Sequence, residues 1–138
     1  MKRRAVLLIV SAALATSSAS ADNLAGAKAL LCSAVEASVC VAMDGCESGP
    51  ATSWKVPQFL EIDLATKKLS TTAASGENRS TVASVLDRRD GVITLQGIEG
   101  GRAFSFQIRE DDGTFTGAVA REDLTVSVFG ACTPQTRP

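Results

Sequence analysis

Short runs of alternating apolar and polar residues recur about every ten to twelve positions from Phe59 onward, separated by clusters of Gly, Asp, Glu, Lys and Arg. Alternation of this kind places successive side chains on opposite faces of a β-strand, and regular spacing with polar turns is typical of an antiparallel meander. The pattern predicts seven strands, at about 59–64, 68–73, 81–88, 92–98, 101–109, 114–120 and 124–130.

The turns between these strands test the pattern, because residues that pair across an antiparallel hairpin share one face of the sheet. We centre five hairpins on residues 66–67, 89–90, 99–100, 111–112 and 121–122. Apolar residues then pair with each other throughout; the third hairpin, for example, pairs Leu95 with Phe104. The hairpins agree on one buried face, which carries Phe104, Phe106, Ile108 and Phe115.

Gly117 pairs with Phe106 in the fourth of these hairpins. We expect the missing side chain to make space for the Phe106 ring, since directly paired residues have closely spaced Cβ atoms. The stretch Asp111-Asp112-Gly113 between the two strands has the composition of a turn.

The stretch at residues 24–40 is consistent with two structures. Its alanines favour a helix, whereas Leu31 to Val41 is also compatible with a strand that reaches the last strand. Such a strand would raise the count to eight, enough to close a barrel and remove exposed edges. We predict an all-β, single-domain meander of about seven to eight strands, forming a small closed or nearly closed barrel with a short N-terminal helix as an option.

Residues 1–21 have the three parts of a Sec-type signal peptide. A basic start at 2–4 precedes an apolar run at 5–15, and Ala19-Ser20-Ala21 is a cleavage motif. The apolar run is too short to span a bilayer as a helix. We expect cleavage after Ala21, a periplasmic or secreted protein without a membrane span, and one domain made of an N-terminal segment at 22–58 and the meander at 59–138.

All four cysteines lie after the predicted cleavage site. An even number in an exported chain indicates two disulfides, with three connectivities open. Cys40 and Cys46 flank a turn sequence and can meet across a hairpin. This favours a second bond between Cys32 and Cys132, which would staple the seam of a closed barrel. A zinc site is disfavoured, because the chain has no histidine and no Cys-x₂-Cys pair.

Charge and composition narrow the range of possible partners and activities. Loss of the three basic residues of the signal leaves eleven basic against fifteen acidic residues, a net charge of −4. This argues against nucleic acid and anionic membrane surfaces as partners. The partner is left open, with an envelope protein as one option. The chain has no His and no Tyr, which removes the commonest general base and a common general acid.

Two further candidates for site chemistry have structural explanations. Glu61 and Asp63 would share a strand face, but they alternate with Leu60 and Ile62 and therefore face solvent. The acidic stretch from Glu110 resembles a calcium loop, yet its alignment puts apolar residues at ligand positions. We expect no catalytic residue, metal or cofactor, and a protein that is not an enzyme.

The longest polar connection, residues 71–81, interrupts an otherwise tight meander. Recognition residues are often placed on loops of a rigid scaffold, whereas many such loops are only solvated connectors. The candidate partner-contact residues are Ser75, Gly76, Glu77, Asn78 and Arg79.

The motifs "W-x-VP-x-FLEIDL", "LQGIEGGRAFSFQI", "DDGTFTGAV" and "FGACTP" resemble those of a group of small exported proteobacterial proteins without an assigned activity. The resemblance implies fold and compartment, and it supplies no catalytic residues. We expect a non-enzymatic binding or structural module of the cell envelope. The alternatives are an inhibitor of an envelope hydrolase, like the small disulfide-stapled lysozyme inhibitors, and a lipocalin-like carrier of a small apolar ligand. The inward apolar residues would fill a small barrel, which disfavours a cavity.

Overall fold

The computed structural model describes residues 22–136, so the signal peptide predicted for residues 1–21 lies outside the described part. This part contains ten β-strands, two short 3-10 helices and no α-helix. The strands are β1 Ala29–Val41, β2 Gly45–Pro50, β3 Phe59–Asp63, β4 Lys68–Thr71, β5 Ser80–Val82, β6 Val85–Arg89, β7 Val92–Glu99, β8 Arg102–Arg109, β9 Thr114–Arg121 and β10 Leu124–Pro134. The 3-10 helices are Ala51–Trp54 and Ala73–Ser75.

The strands form a single antiparallel sheet that is curled into a half-barrel. Their order is β5-β4-β3-β1-β10-β9-β8-β7-β6, and β2 pairs with the second half of β1. The all-β antiparallel prediction is confirmed. The strand count is higher than expected because the N-terminal segment supplies both β1 and β2, and because the predicted strand at 81–88 is divided in two.

The division of that strand also explains why the barrel is not fully closed. β5 pairs with β4 and β6 pairs with β7, and the two are joined in the chain by residues 83–84. β5 and β6 are the two edge strands of the sheet. They are connected by the chain, but the described strands show no hydrogen-bonded ladder between them.

The helix considered for residues 24–40 does not form. Residues 29–41 are instead a long strand with a partner on each side, β10 on one side and β3 followed by β2 on the other. The helix propensity of alanine amounts to a few tenths of a kcal/mol per residue, and two ladders of backbone hydrogen bonds outweigh it.

The hairpin registers agree with the expected faces, but four of the five are shifted by two residues. Only the β8–β9 hairpin has the expected register, with Phe106 opposite Gly117. The turn between β7 and β8 is Gly100-Gly101, with φ of 56° and 76°. Two-residue hairpin turns with positive φ at both positions favour glycine. A shift by two residues keeps each side chain on its face, so the core prediction holds.

The core contains the predicted residues. Phe104, Ile108 and Phe115 are buried, and Phe106 packs against them. The role expected for Gly117 is confirmed, because a Cβ atom there would lie 2.9 Å from Cδ1 of Phe106. Substitution of Gly117 would therefore force the Phe106 ring to move.

All four cysteines are in the described residues and form the pairing that the spacing favours, Cys32–Cys132 and Cys40–Cys46. Cys32 and Cys132 are direct cross-strand partners in β1 and β10. These strands lie at the centre of the sheet, so the expectation that this bond staples a seam is wrong. Two disulfides indicate an oxidising, extracytoplasmic location. Residues 22–136 contain no helix long and apolar enough to cross a membrane.

Candidate functional site: an apolar cavity

The concave side of the half-barrel lines a partly open cavity of about 150 Å³. Its walls come from strands on both arms of the sheet. β8 and β9 contribute Phe104, Phe106 and Phe115, and β3 and β4 contribute Leu60 and Leu69. An engineered apolar cavity of about 150 Å³ in another protein stays dry and binds benzene, so the volume suits about six carbon atoms.

The arrangement of the aromatic rings explains why apolar residues do not fill this space. Phe104 lies against Gly97, its partner in β7, where a Cβ would be only 2.7 Å from the ring. Phe106 lies in the same way against Gly117 of β9. Each ring therefore occupies the place of a missing side chain on the neighbouring strand. The expectation of a filled interior is corrected by these two glycine positions.

The rings also contact one another along this wall. The centroids of Phe104 and Phe106 are 5.1 Å apart, and those of Phe106 and Phe115 are 5.4 Å apart in an edge-to-face arrangement. Both geometries are favourable for aromatic pairs. The result is a continuous aromatic wall, and the smaller side chains Cys32 and Ala34 of β1 also line the cavity.

Three charged residues, Arg79, Glu99 and Arg102, line one end of the cavity. Their side chains are 32%, 28% and 37% exposed, so the cavity reaches solvent between them. We call this end the mouth. Glu99 follows the glycine at 97 at the end of β7, and Arg102 begins β8 after the tight glycine turn. The turn thus places a carboxylate and a guanidinium next to each other.

The ion pairs at the mouth are loose. Oε2 of Glu99 lies 3.9 Å from Nη1 of Arg79 and 3.7 Å from Nη1 of Arg102. Both distances exceed those of hydrogen bonds. Arg79 has a closer contact with Glu77. Its Nε lies 2.7 Å from Oε2 of Glu77, although the two atoms do not have hydrogen-bond geometry.

The predicted contact loop borders this mouth and is folded on its own backbone. The hydroxyl of Ser75 accepts a hydrogen bond from N of Phe59 and donates one to O of Phe59, both at 2.9 Å. Thr71 Oγ1 accepts from N of Arg79 at 2.9 Å and donates to O of Glu77 at 2.8 Å. These bonds fix the loop to β3 and β4.

The structure thus assigns different surroundings to the five candidate loop residues. Ser75 bonds to the start of β3, and Gly76 has a φ of 69°, which favours glycine. Glu77 pairs with Arg79, Arg79 lines the cavity, and Asn78 is exposed. Contact between this loop and a partner stays a prediction.

The opposite end of the half-barrel is covered by residues 22–28. Leu24 is fully buried, and its N donates to O of Glu110 at 2.7 Å. Arg88 of β6 donates to the carbonyl oxygens of Ala27 and Leu24 at 3.0 and 2.9 Å, and its Nε donates to Glu110. We call this the closed end.

The other candidate groups have structural partners. Asp63 Oδ1 accepts from the amides of Ala65 and Thr66, and Glu61 accepts from Gln135 Nε2 at 3.0 Å. Among residues 22–136 no group of three or more His, Cys, Asp or Glu side chains is arranged to hold a metal ion.

Side-chain hydrogen bonds stabilise the turn predicted at residues 111–113. Asp112 Oδ1 accepts from N of Thr114 at 2.8 Å, and this backbone hydrogen bond is the main reason why the pKa of Asp112 is lowered. A hydrogen bond from Arg109 to Asp111, together with the charge of that carboxylate, raises the pKa of Arg109. Both groups lie at the protein surface, 56% and 32% exposed, and away from the mouth.

No protein-family model matches the chain, and no curated protein matches it. The molecule is defined by its own features, as a small disulfide-bonded antiparallel half-barrel with an apolar cavity. The sequence interpretation missed Gly97, Glu99 and Arg102. The available signal was a glycine at an inward position of a strand, followed by two charged residues on either side of a glycine turn.

Proposed function

We propose that the protein is an exported, non-enzymatic binding module of the cell envelope, and that a small apolar group of its ligand occupies the cavity. The observation that carries this proposal is the cavity of about 150 Å³ between the aromatic wall and the leucines of β3 and β4. This proposal combines two hypotheses from the sequence, the non-enzymatic binding module and the carrier of a small apolar ligand.

The energetic reason is that burial of apolar surface drives association. Each buried methylene group contributes about 0.8 kcal/mol. A group of about six carbons contributes about 5 kcal/mol, and the cost of lost translational freedom makes the Kd of a simple probe millimolar or weaker. Tighter binding requires polar contacts outside the cavity.

The proposed location is the periplasm or the extracellular space, reached by cleavage of residues 1–21. The two disulfides support an oxidising compartment, and the basic and apolar segments of the first residues support Sec-dependent export. Mass spectrometry of exported protein should find Asp22 at the N-terminus. The resemblance to small exported proteobacterial proteins is part of the same proposal.

The test is a titration of the exported, oxidised protein with 1-hexanol, followed by NMR of its backbone amides and methyl groups. We expect saturable shifts of Leu60, Leu69 and Val119, which line the cavity. Absence of saturable shifts would contradict the proposal.

Two matched variants localise the binding. Val119→Phe adds volume inside the cavity and should abolish the shifts. Ala118→Phe adds the same ring to the adjacent, exposed position of β9 and should leave them intact. Equal binding by both variants would place the hexanol elsewhere on the protein.

A further inference from the structure

We infer that the ligand is a small amphiphile with an anionic head group, and that Arg102 is the residue that selects the head group. The inference rests on the proposed function, because it takes the cavity as the site of the apolar part. It adds the chemical class of the ligand and the residue that determines specificity.

The charges on the cavity lining carry the first step. Two guanidinium groups and one carboxylate line the mouth, Arg79, Arg102 and Glu99. The Glu77 carboxylate lies 2.7 Å from Nε of Arg79 and offsets the charge of that guanidinium. The four side chains are therefore neutral in total, and Arg102 is the guanidinium of the mouth that has no carboxylate in close contact, since its nearest one is 3.7 Å away.

The unused hydrogen-bonding capacity of Arg102 carries the second step. Its guanidinium has five N–H donors, and it makes no hydrogen bond to another residue among those described. Its nearest carboxylate is Glu99 at 3.7 Å. A carboxylate or phosphate group can accept two parallel hydrogen bonds from such a guanidinium.

The position of Arg102 carries the third step. It begins β8, and Phe104 two residues further on lies on the aromatic wall. Side chains two residues apart on a strand point to the same face. A ligand with its apolar part against Phe104 would therefore extend toward Arg102.

A comparison of three probes of similar shape tests the head group. The oxidised protein is titrated at pH 7 with 1-hexanol, hexanoate and hexylamine, with NMR as the readout. Hydrogen bonds to a charged group are worth at least about 1.5 kcal/mol, so hexanoate should bind about tenfold more tightly than hexanol. Hexylamine should bind more weakly than hexanol, because its ammonium group would lie beside the Arg102 guanidinium.

Variants of the mouth residues test whether Arg102 selects the head group of the ligand. Arg102→Gln should reduce hexanoate affinity about tenfold and hexanol affinity much less. Arg109→Gln, at the opposite end of the same strand, is the matched control and should change neither. Glu99→Gln removes the competing carboxylate and should raise hexanoate affinity. Higher salt should weaken hexanoate binding and spare hexanol binding.

The outcomes distinguish the two proposals. If neither hexanol nor hexanoate binds, the cavity is not a ligand site and the proposed function fails. If hexanol binds but hexanoate binds no better, or if hexylamine binds best, only the assignment of the anionic head group is overturned. An equal loss of both probes in Arg102→Gln would likewise show that Arg102 supports the cavity and does not select the ligand.

Discussion

Arginine and glutamate side chains meet at both ends of the half-barrel, and the two ends differ in what the arginines contact. At the closed end Arg88 donates to two backbone carbonyl oxygens and to Glu110. At the mouth Arg102 has one carboxylate at 3.7 Å and no hydrogen bond to another described residue. The same pair of residue types thus holds a chain segment in place at one end and leaves donors available at the other.

The two ends also differ in their apolar residues. Leu24 at the closed end is fully buried, whereas Met43, in the β1–β2 turn, is fully exposed. N of Ala42 in that turn donates to O of Asp123, in the β9–β10 turn at the mouth side of the sheet. We infer that stability is concentrated at the closed end and binding at the mouth, and the following variants test this contrast.

The largest predicted effect is the difference between the two disulfides in their contribution to the free energy of unfolding. Cys32–Cys132 closes a sequence separation of 100 residues, and Cys40–Cys46 closes one of 6. In the chain-entropy model, replacing the first pair by serine costs about 4–5 kcal/mol and replacing the second costs about 2 kcal/mol. Urea unfolding of the two double variants measures both values. Equal costs would contradict the model.

Leu24→Ala should lower the free energy of unfolding by about 2–5 kcal/mol, because it removes buried methyl groups that close the core. Met43→Ala is the control and should stay within about 0.5 kcal/mol of the wild type. Chemical denaturation provides the comparison. A small effect of Leu24→Ala would mean that residues 22–28 do not contribute to the core in solution.

Arg88→Gln should destabilise the protein by about 1–2 kcal/mol, since it leaves two carbonyl oxygens and a carboxylate without their donor. Arg102→Gln should change the free energy of unfolding by less than about 0.5 kcal/mol, because its ion pair is loose and exposed. Similar costs for both variants would remove the distinction between the two ends.

The smallest effect is a pH dependence at the turn between β8 and β9. The folded protein lowers the pKa of Asp112 below 3.8, so the ionised carboxylate stabilises the fold above that pH. This contribution is lost as the pH falls through the folded pKa. The melting temperature of Asp112→Asn should therefore lie slightly below that of the wild type at pH 7, and the difference should shrink below about pH 3.8. A difference that grows on acidification would contradict this sign.

Local patterns in the sequence predict much of this fold. Alternation from Phe59 onward predicts the strands and the inward face, since side chains of a strand alternate whatever its partner is. The cysteine spacing favours the two disulfides that form. Gly117 is recognisable because its partner Phe106 follows from the β8–β9 turn.

Tertiary structure decided the remaining features. Four of the five hairpin registers differ by two residues from those expected, because a shift of two residues keeps every side chain on the same face. Only the geometry of the turn distinguishes such registers. The choice of strand over helix at residues 29–41 depends on β3 and β10, which are distant in sequence. The cavity depends on where two phenylalanine rings lie relative to Gly97 and Gly117.

The sequence by itself therefore determined which residues face inward, because alternation is a property of the single strand. Only the tertiary structure decided how the inward residues share the space, because packing depends on the distances between strands. The mouth shows this most clearly. Arg79 and Arg102 are remote in sequence, and the curl of the sheet brings both guanidiniums within 4 Å of the Glu99 carboxylate.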